Sequence, residues 1–278
     1  YSPGSDIIAI NNTLTTNMIK ADLAGELTKG NVDLLNTAML DIVYPDQVSY
    51  TRNSYHIFGN TQVASAKFYW DTTYYWSVYA HTFINGLFSD MTFIEEYAAT
   101  IQKFSQLNRK VQQLFKAWAQ KAPSENSYQF CDLARKHFFL SRAIELMTKP
   151  GRKNFNKSVL NKYDGFQKMA NALFIYANRQ TGVDVTDLSS EYDDDLKQTD
   201  DLLTRYEEKD LAKEMNLFKE FFGPLSVTEQ IKVNHIKAVA RIGNGSFLYS
   251  ARDMFVRLFV NQKEKVNFPG LLRLIFAD

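Results

Sequence analysis

Apolar residues along this chain recur at steps of three and four. From Asp6, the residues Ile7, Ile10, Leu14 and Met18, with Ile19 beside them, fall on one face of an α-helix. Ser5 or Asp6 is placed to cap its first turn, and Gly30 to end it. A second helix is expected over residues 32–43, with Leu34, Leu35, Ala38, Met39 and Ile42 on one side and Pro45 turning the chain out of it. Two short helices follow, one on either side of Gly59.

Residues 68–88 are crowded with aromatic side chains: Phe68, Tyr69, Trp70, Tyr74, Tyr75, Trp76, Tyr79, Phe83 and Phe88. Aromatics favour strands, but the length and the absence of sustained alternation favour a helix buried on several faces. Two roles stay open for it, a packed core helix or a wall of an aromatic substrate pocket. Thr92, Phe93, Ile94 and Glu95 then read as a capping box. Behind it Ile94, Ala98, Ile101, Phe104, Leu107, Val111, Leu114, Phe115 and Trp118 carry a helical stripe for seven or eight turns, until Pro123.

Further helices fit residues 128–147, stopped by Pro150 and Gly151, and residues 156–179, stopped by Gly182. Residues 203–222 read as another, closed by Gly223 and Pro224. Ser226 to Glu229 opens the next through a second capping box, and Gly243, Asn244 and Gly245 divide it from a last one over 247–260. The prolines mostly sit between helical stripes and no hairpin signal appears, so the expected class is all-α, a multi-helix bundle. No internal repeat is evident. The expected divisions are 1–30, an aromatic-rich region 31–122, and a C-terminal bundle 123–278.

Composition narrows the function. With 45% hydrophobic and 23% charged residues the chain is of ordinary globular make-up and is expected to fold. Its 32 basic and 31 acidic residues nearly cancel, leaving no field to hold a phosphate backbone or an anionic membrane surface. No stretch approaches the roughly 18 apolar residues of a membrane span. One cysteine, Cys131, permits neither an internal disulfide nor a thiolate-rich zinc site, so a reducing, cytoplasmic setting is expected, without nucleic acid or membrane partners.

Candidate chemistry is sparse. His56, His81, His137 and His235 lack the spacing of metal ligands, and no metal is expected. The acidic run Glu191, Asp193, Asp194, Asp195, Asp200 and Asp201 invites comparison with the aspartate-rich helices of terpene synthases. The third ligand position falls on Lys197 or Gln198, so a solvated loop or helix start is the expectation. Gly243-Asn244-Gly245 lacks the third glycine and the preceding strand of a dinucleotide turn. Cys131 reads as a buried thiol rather than a nucleophile, so no catalytic residue is expected.

The opening, Tyr1-Ser2-Pro3-Gly4-Ser5-Asp6-Ile7-Ile8-Ala9-Ile10-Asn11-Asn12-Thr13, resembles the loop and helix that follow the second FAD motif in flavin-dependent halogenases and related monooxygenases. The stretches Lys67 to Trp76 and Phe104 to Trp118 are similar to the helical C-terminal region of tryptophan-halogenase-like proteins. The resemblance covers roughly residues 1 to 120. It implies that Ser2, Pro3, Gly4 and Ser5 are cofactor-binding positions, where glycine lets backbone approach the flavin ring and a helix N-terminus favours negative charge on it. The family's glycine-rich turn, Gly-Asp pair, Trp-x-Trp-x-Ile-Pro motif and catalytic lysine lie upstream of this loop and are not found here.

By resemblance, then, the chain is the C-terminal, substrate-side helical portion of an FAD-dependent oxidoreductase and is inactive alone. FAD would belong to the parent protein, an upstream α/β FAD-binding domain would be the partner, and an aromatic small molecule the substrate. The chain opens on Tyr1 rather than Met, inside what reads as a turn entering a helix, so its N-terminus is expected further upstream. The competing expectation, from balanced charge and missing catalytic spacing, is a stand-alone helical interaction module.

Overall fold

The computed structural model describes residues 4–52, 54–122, 152–188 and 200–222. All fall in the unit Tyr1–Gly223, distinct from a second unit, Pro224–Asp278. Of the described residues 88% are helical and none is in a strand, so the fold class is all-α, as the periodicity implies. The helices expected over 128–147 and 247–260, the capping box at 226–229 and the glycine turn at 243–245 lie outside the described residues.

Helix α1 (Gly4–Leu23) buries Ile10 and Leu14 and takes in Ser5 and Asp6 as first-turn residues rather than caps. It stops earlier than the expected Gly30, because Gly25 adopts a left-handed φ of 68°. There Glu26 N–H bonds Ala21 O at 2.8 Å and Gly25 N–H bonds Asp22 O at 2.9 Å, a Schellman closure that satisfies two terminal carbonyls. Helix α2 (Lys29–Asn36) starts from Thr28, whose hydroxyl accepts from Asn31 N–H at 3.2 Å.

Pro45 does not turn the chain out as expected. Helix α2 runs into a π-helical turn, Thr37–Val43, and straight on as α3 (Tyr44–Arg52). The turn closes by Tyr44 N–H on Met39 O, five residues back. A proline ring in an α-helix collides with the carbonyl four residues earlier, and the wider turn makes room for it. The face read from the sequence holds: Leu35, Ala38 and Ile42 are buried, with Leu34 and Met39 packed at its edge.

Helix α4 (Ser54–Ile57) is one turn, and α5 (Thr61–Tyr74) begins at Asn60, which caps Gln62 and Val63 N–H. The aromatic segment is helical, not a strand, but it is interrupted by a second π turn, Tyr75–Tyr79, before α6 (Ala80–Ile84). Gly86, at φ 68°, reverses the chain into a short 3-10 turn, Leu87–Ser89.

The long helix α7 (Met91–Lys121) is capped by Asp90, which accepts from Phe93 N–H at 3.0 Å, and not by the box read at Thr92. It ends where Ala122 turns extended ahead of Pro123. Helix α8 (Arg152–Thr181) ends at Gly182, φ 68°, as expected. The continuous helix expected over 203–222 is instead two 3-10 turns, Asp200–Leu203 and Glu208–Leu211, then α9 (Ala212–Phe222). Buried Asn171 of α8 is the reason: its amide donates to Leu202 O and its carbonyl accepts from Tyr206 N–H, claiming backbone groups that a helix would need.

Helix α7 lies at the centre, against α3, α4, α5 and α8. Phe166 of α8 packs roughly perpendicular to Trp70, Tyr74 and Phe104, ring centroids 5.6, 5.9 and 5.7 Å away, pinning α8 to α5 and α7 at once. Each such pair adds about 0.5–1.5 kcal/mol beyond area burial.

Candidate functional site

Between Phe104 and Trp118 helix α7 is covered almost all round, so the residues that would face water on an amphipathic helix are buried too: Ser105, Asn108, Arg109, Lys110, Gln112 and Gln113. Burial of a polar group without a partner costs on the order of 1–3 kcal/mol, which makes their partners decisive. Ser105, Asn108 and Gln112 bond to side chains of α3 and α5.

At one end stands Asp46, the residue after Pro45 and wholly buried. Tyr74 and Tyr79 both donate to its Oδ2, at 2.8 and 2.6 Å, and Ser105 donates to Oδ1 at 2.8 Å. Burial pushes the Asp46 carboxyl above the usual carboxylate range, while the hydroxyls of Tyr79, Ser105 and Tyr74 and the nearby Asn108 amide pull it back. Asn108 Oδ1 accepts from Trp70 Nε1 at 2.9 Å and from Gln112 Nε2 at 3.3 Å, carrying the network onward.

At the other end Lys67 and Asp71, four residues apart on α5, pair at 2.8 Å with both side chains under 5% exposed. Gln112 bridges them, donating to Asp71 Oδ1 at 2.7 Å and accepting from Lys67 Nζ at 2.5 Å. Lys67 also lies 5.5 Å over the Tyr50 ring. Burial raises the Asp71 carboxyl, and the Lys67 charge opposes the rise. Sealed on every side, this ionic unit is placed to specify packing rather than to meet a substrate.

The surface next to this network is different. The head of α1, with Asp6, Ala9 and Ile10, faces Tyr75, Trp76 and Tyr79 of the second π turn and Ala80, Phe83 and Ile84 of α6 across a cleft of about 100 Å³. Burial and the neighbouring Asp6 carboxylate push the Tyr75 hydroxyl up, so it stays a neutral donor. Trp76 is half-buried, and Phe83 is 40% exposed. The aromatic segment is divided by face: Trp70 and Tyr74 are core, while Tyr75, Trp76 and Phe83 line the cleft. Tyr79 serves both, its ring at the cleft and its hydroxyl on Asp46.

Of the positions that the resemblance assigns to the flavin, Ser2 and Pro3 lie outside the described residues, and Gly4 and Ser5 are exposed in the first turn of α1. A Cβ on Gly4 would meet nothing within 4 Å, so a flat ring could approach there. The described residues offer a flavin that helix start alone, with no cradle for the rest of a dinucleotide.

His56 is exposed and His81 buried, and no group of three or more metal-ligating side chains occurs among the described residues. Asp201 is exposed beside Asp200 in a 3-10 turn. Cys131, His137, His235, Glu191, Asp193, Asp194 and Asp195 lie outside the described residues. No described helix is long and apolar enough to cross a membrane. No family model matches the chain, and no curated protein or solved structure proved similar to it.

Proposed function

We propose that this chain is the substrate-side helical portion of an FAD-dependent, halogenase-like or monooxygenase-like oxidoreductase, and that it completes a site whose cofactor is held by an upstream domain. One observation carries the reading. Two of the three stretches singled out by resemblance, residues 1–13 and 67–76, are far apart in sequence, yet both reach one cleft, with Asp6, Ala9 and Ile10 on one side and Tyr75 and Trp76 on the other. A flavin laid against the first turn of α1 would sit beside an aromatic wall. At about 100 Å³ the cleft is smaller than the roughly 300–1,000 Å³ of a complete ligand pocket, as suits one wall of a pocket closed by another domain. Aromatic rings and apolar side chains make that wall suited to a flat aromatic small molecule.

The test is to express the native reading frame that encodes this chain and to record its intact mass and visible spectrum. A chain heavier than 32.0 kDa that carries flavin absorbance is expected. A colourless product would sink the reading and leave the helical interaction module in its place.

A further inference from the structure

We infer that Asp46 is a positioning residue: it locks the second π turn in its wide form and so sets the register of the cleft wall. The argument is one of rotation. Tyr74 and Tyr79 are five residues apart, and in an α-helix five steps of about 100° leave two side chains about 140° apart. They could not then share one acceptor atom. With one residue taken up as an extra in the turn, five steps span the rotation of four, about 40° past a full turn.

The chain does this: Ala80 N–H bonds Tyr75 O, five residues back, and both tyrosine hydroxyls reach Asp46 Oδ2. The two rings meet edge to face at 5.9 Å. A π turn forgoes α-helical bonding and persists where surrounding contacts repay it. Here the repayment is a pair of hydrogen bonds to one buried carboxylate.

The consequence falls on the cleft. Trp76 lies inside the locked turn, and Phe83 and Ile84 follow it on α6. If the extra residue were released, everything from Trp76 to Gly86 would turn by about 100° about the helix axis, and the aromatic wall would leave the cleft. Ser105 holds the other oxygen of Asp46 from α7 and has no part in the register. The inference does not depend on what the cleft binds, so it stands or falls apart from the flavin reading.

Three variants of the full chain test it: Tyr74→Phe, Tyr79→Phe and Ser105→Ala. Each removes one buried hydroxyl from the same carboxylate. Hydrogen exchange across residues 75–84 is the first readout. Acrylamide quenching is the second, and it reports chiefly on Trp76 because Trp70 and Trp118 are 0% exposed.

Both tyrosine variants are expected to speed exchange in 75–84 by about ten- to hundred-fold, the effect of losing one charge-assisted hydrogen bond locally, and to change Trp76 quenching. Ser105→Ala is expected to lower overall stability with Trp76 unmoved. Equal effects from all three variants, or none in 75–84 from either tyrosine variant, would overturn the lock. Should Tyr79→Phe fail to fold, Tyr74→Phe removes the other donor to the same oxygen and decides alone.

Discussion

Replacing Lys67 by Met removes one partner of an ion pair enclosed in the core. At 2.8 Å the Lys67–Asp71 attraction is worth about 6 kcal/mol at an effective dielectric near 20. Desolvation of the two charges costs several kcal/mol each, so the intact pair contributes little net stability. The variant keeps the cost of burying Asp71 and loses the attraction that offset it. Asp71 remains, 2% exposed, still accepting from Gln112, and Gln112 Oε1 loses its Lys67 donor.

The expected loss is about 3–5 kcal/mol, a large share of the 5–15 kcal/mol typical of a folded domain. In urea unfolding followed by circular dichroism it lowers the midpoint by about 1–3 M. The loss shrinks as pH falls, because Asp71 without Lys67 takes up a proton more readily. The triple variant Lys67→Met, Asp71→Leu, Gln112→Met removes the whole unit and is expected within about 2 kcal/mol of the unaltered chain. A loss under about 1 kcal/mol for Lys67→Met would mean that water reaches the pair and that the reasoning fails. A triple variant as unstable as the single one would also refute it.

Two further outcomes are expected. Asp90→Ala removes the cap of α7 and lowers stability by about 0.5–2 kcal/mol, whereas Thr92→Ala stays within about 0.5 kcal/mol, and thermal melts of the two decide which residue is the cap. Because the Asp46 carboxyl titrates above 3.8 in the folded chain, its contribution is fully present below that pH and is lost as pH rises through the raised value. Unfolding free energies of the unaltered chain minus those of Asp46→Asn, taken from pH 4 to 7, should therefore decline as pH rises, and an increase would contradict the assignment.

The helices were legible where one face alone is apolar: the stripe from Ile94 to Trp118 and the stop at Gly182 follow from period and glycine. What defeated periodicity is local or is closed from afar. Pro45 reads as a breaker because sequence does not show that a π turn precedes it, and Thr92 looks like a better cap than Asp90 because Glu95 completes a familiar box. Residues 203–222 read as a single helix because nothing local reveals that Asn171, over thirty residues earlier, holds Leu202 and Tyr206.

The buried network was missed outright. Asn108 to Gln113 look like the wet side of an amphipathic helix, and Asp46 looks like a turn residue. Lys67 and Asp71, oppositely charged at a four-residue spacing in the most aromatic part of the chain, were the available signal. The cleft was half visible, since its aromatic wall was named but its opposite side, the head of α1, was assigned only by resemblance.

Phe166, wedged against Trp70, Tyr74 and Phe104, also sets a timetable for the ribosome. The three rings it covers have all been synthesised by the time Lys121 is made, roughly 45 residues before Phe166 itself, an interval of about 2–9 s at 5–20 residues per second. Throughout it the nascent chain lacks the ring that packs against Trp70, Tyr74 and Phe104. That interval is when a chaperone has most to hold, and when neighbouring chains on one message have most opportunity to stick together.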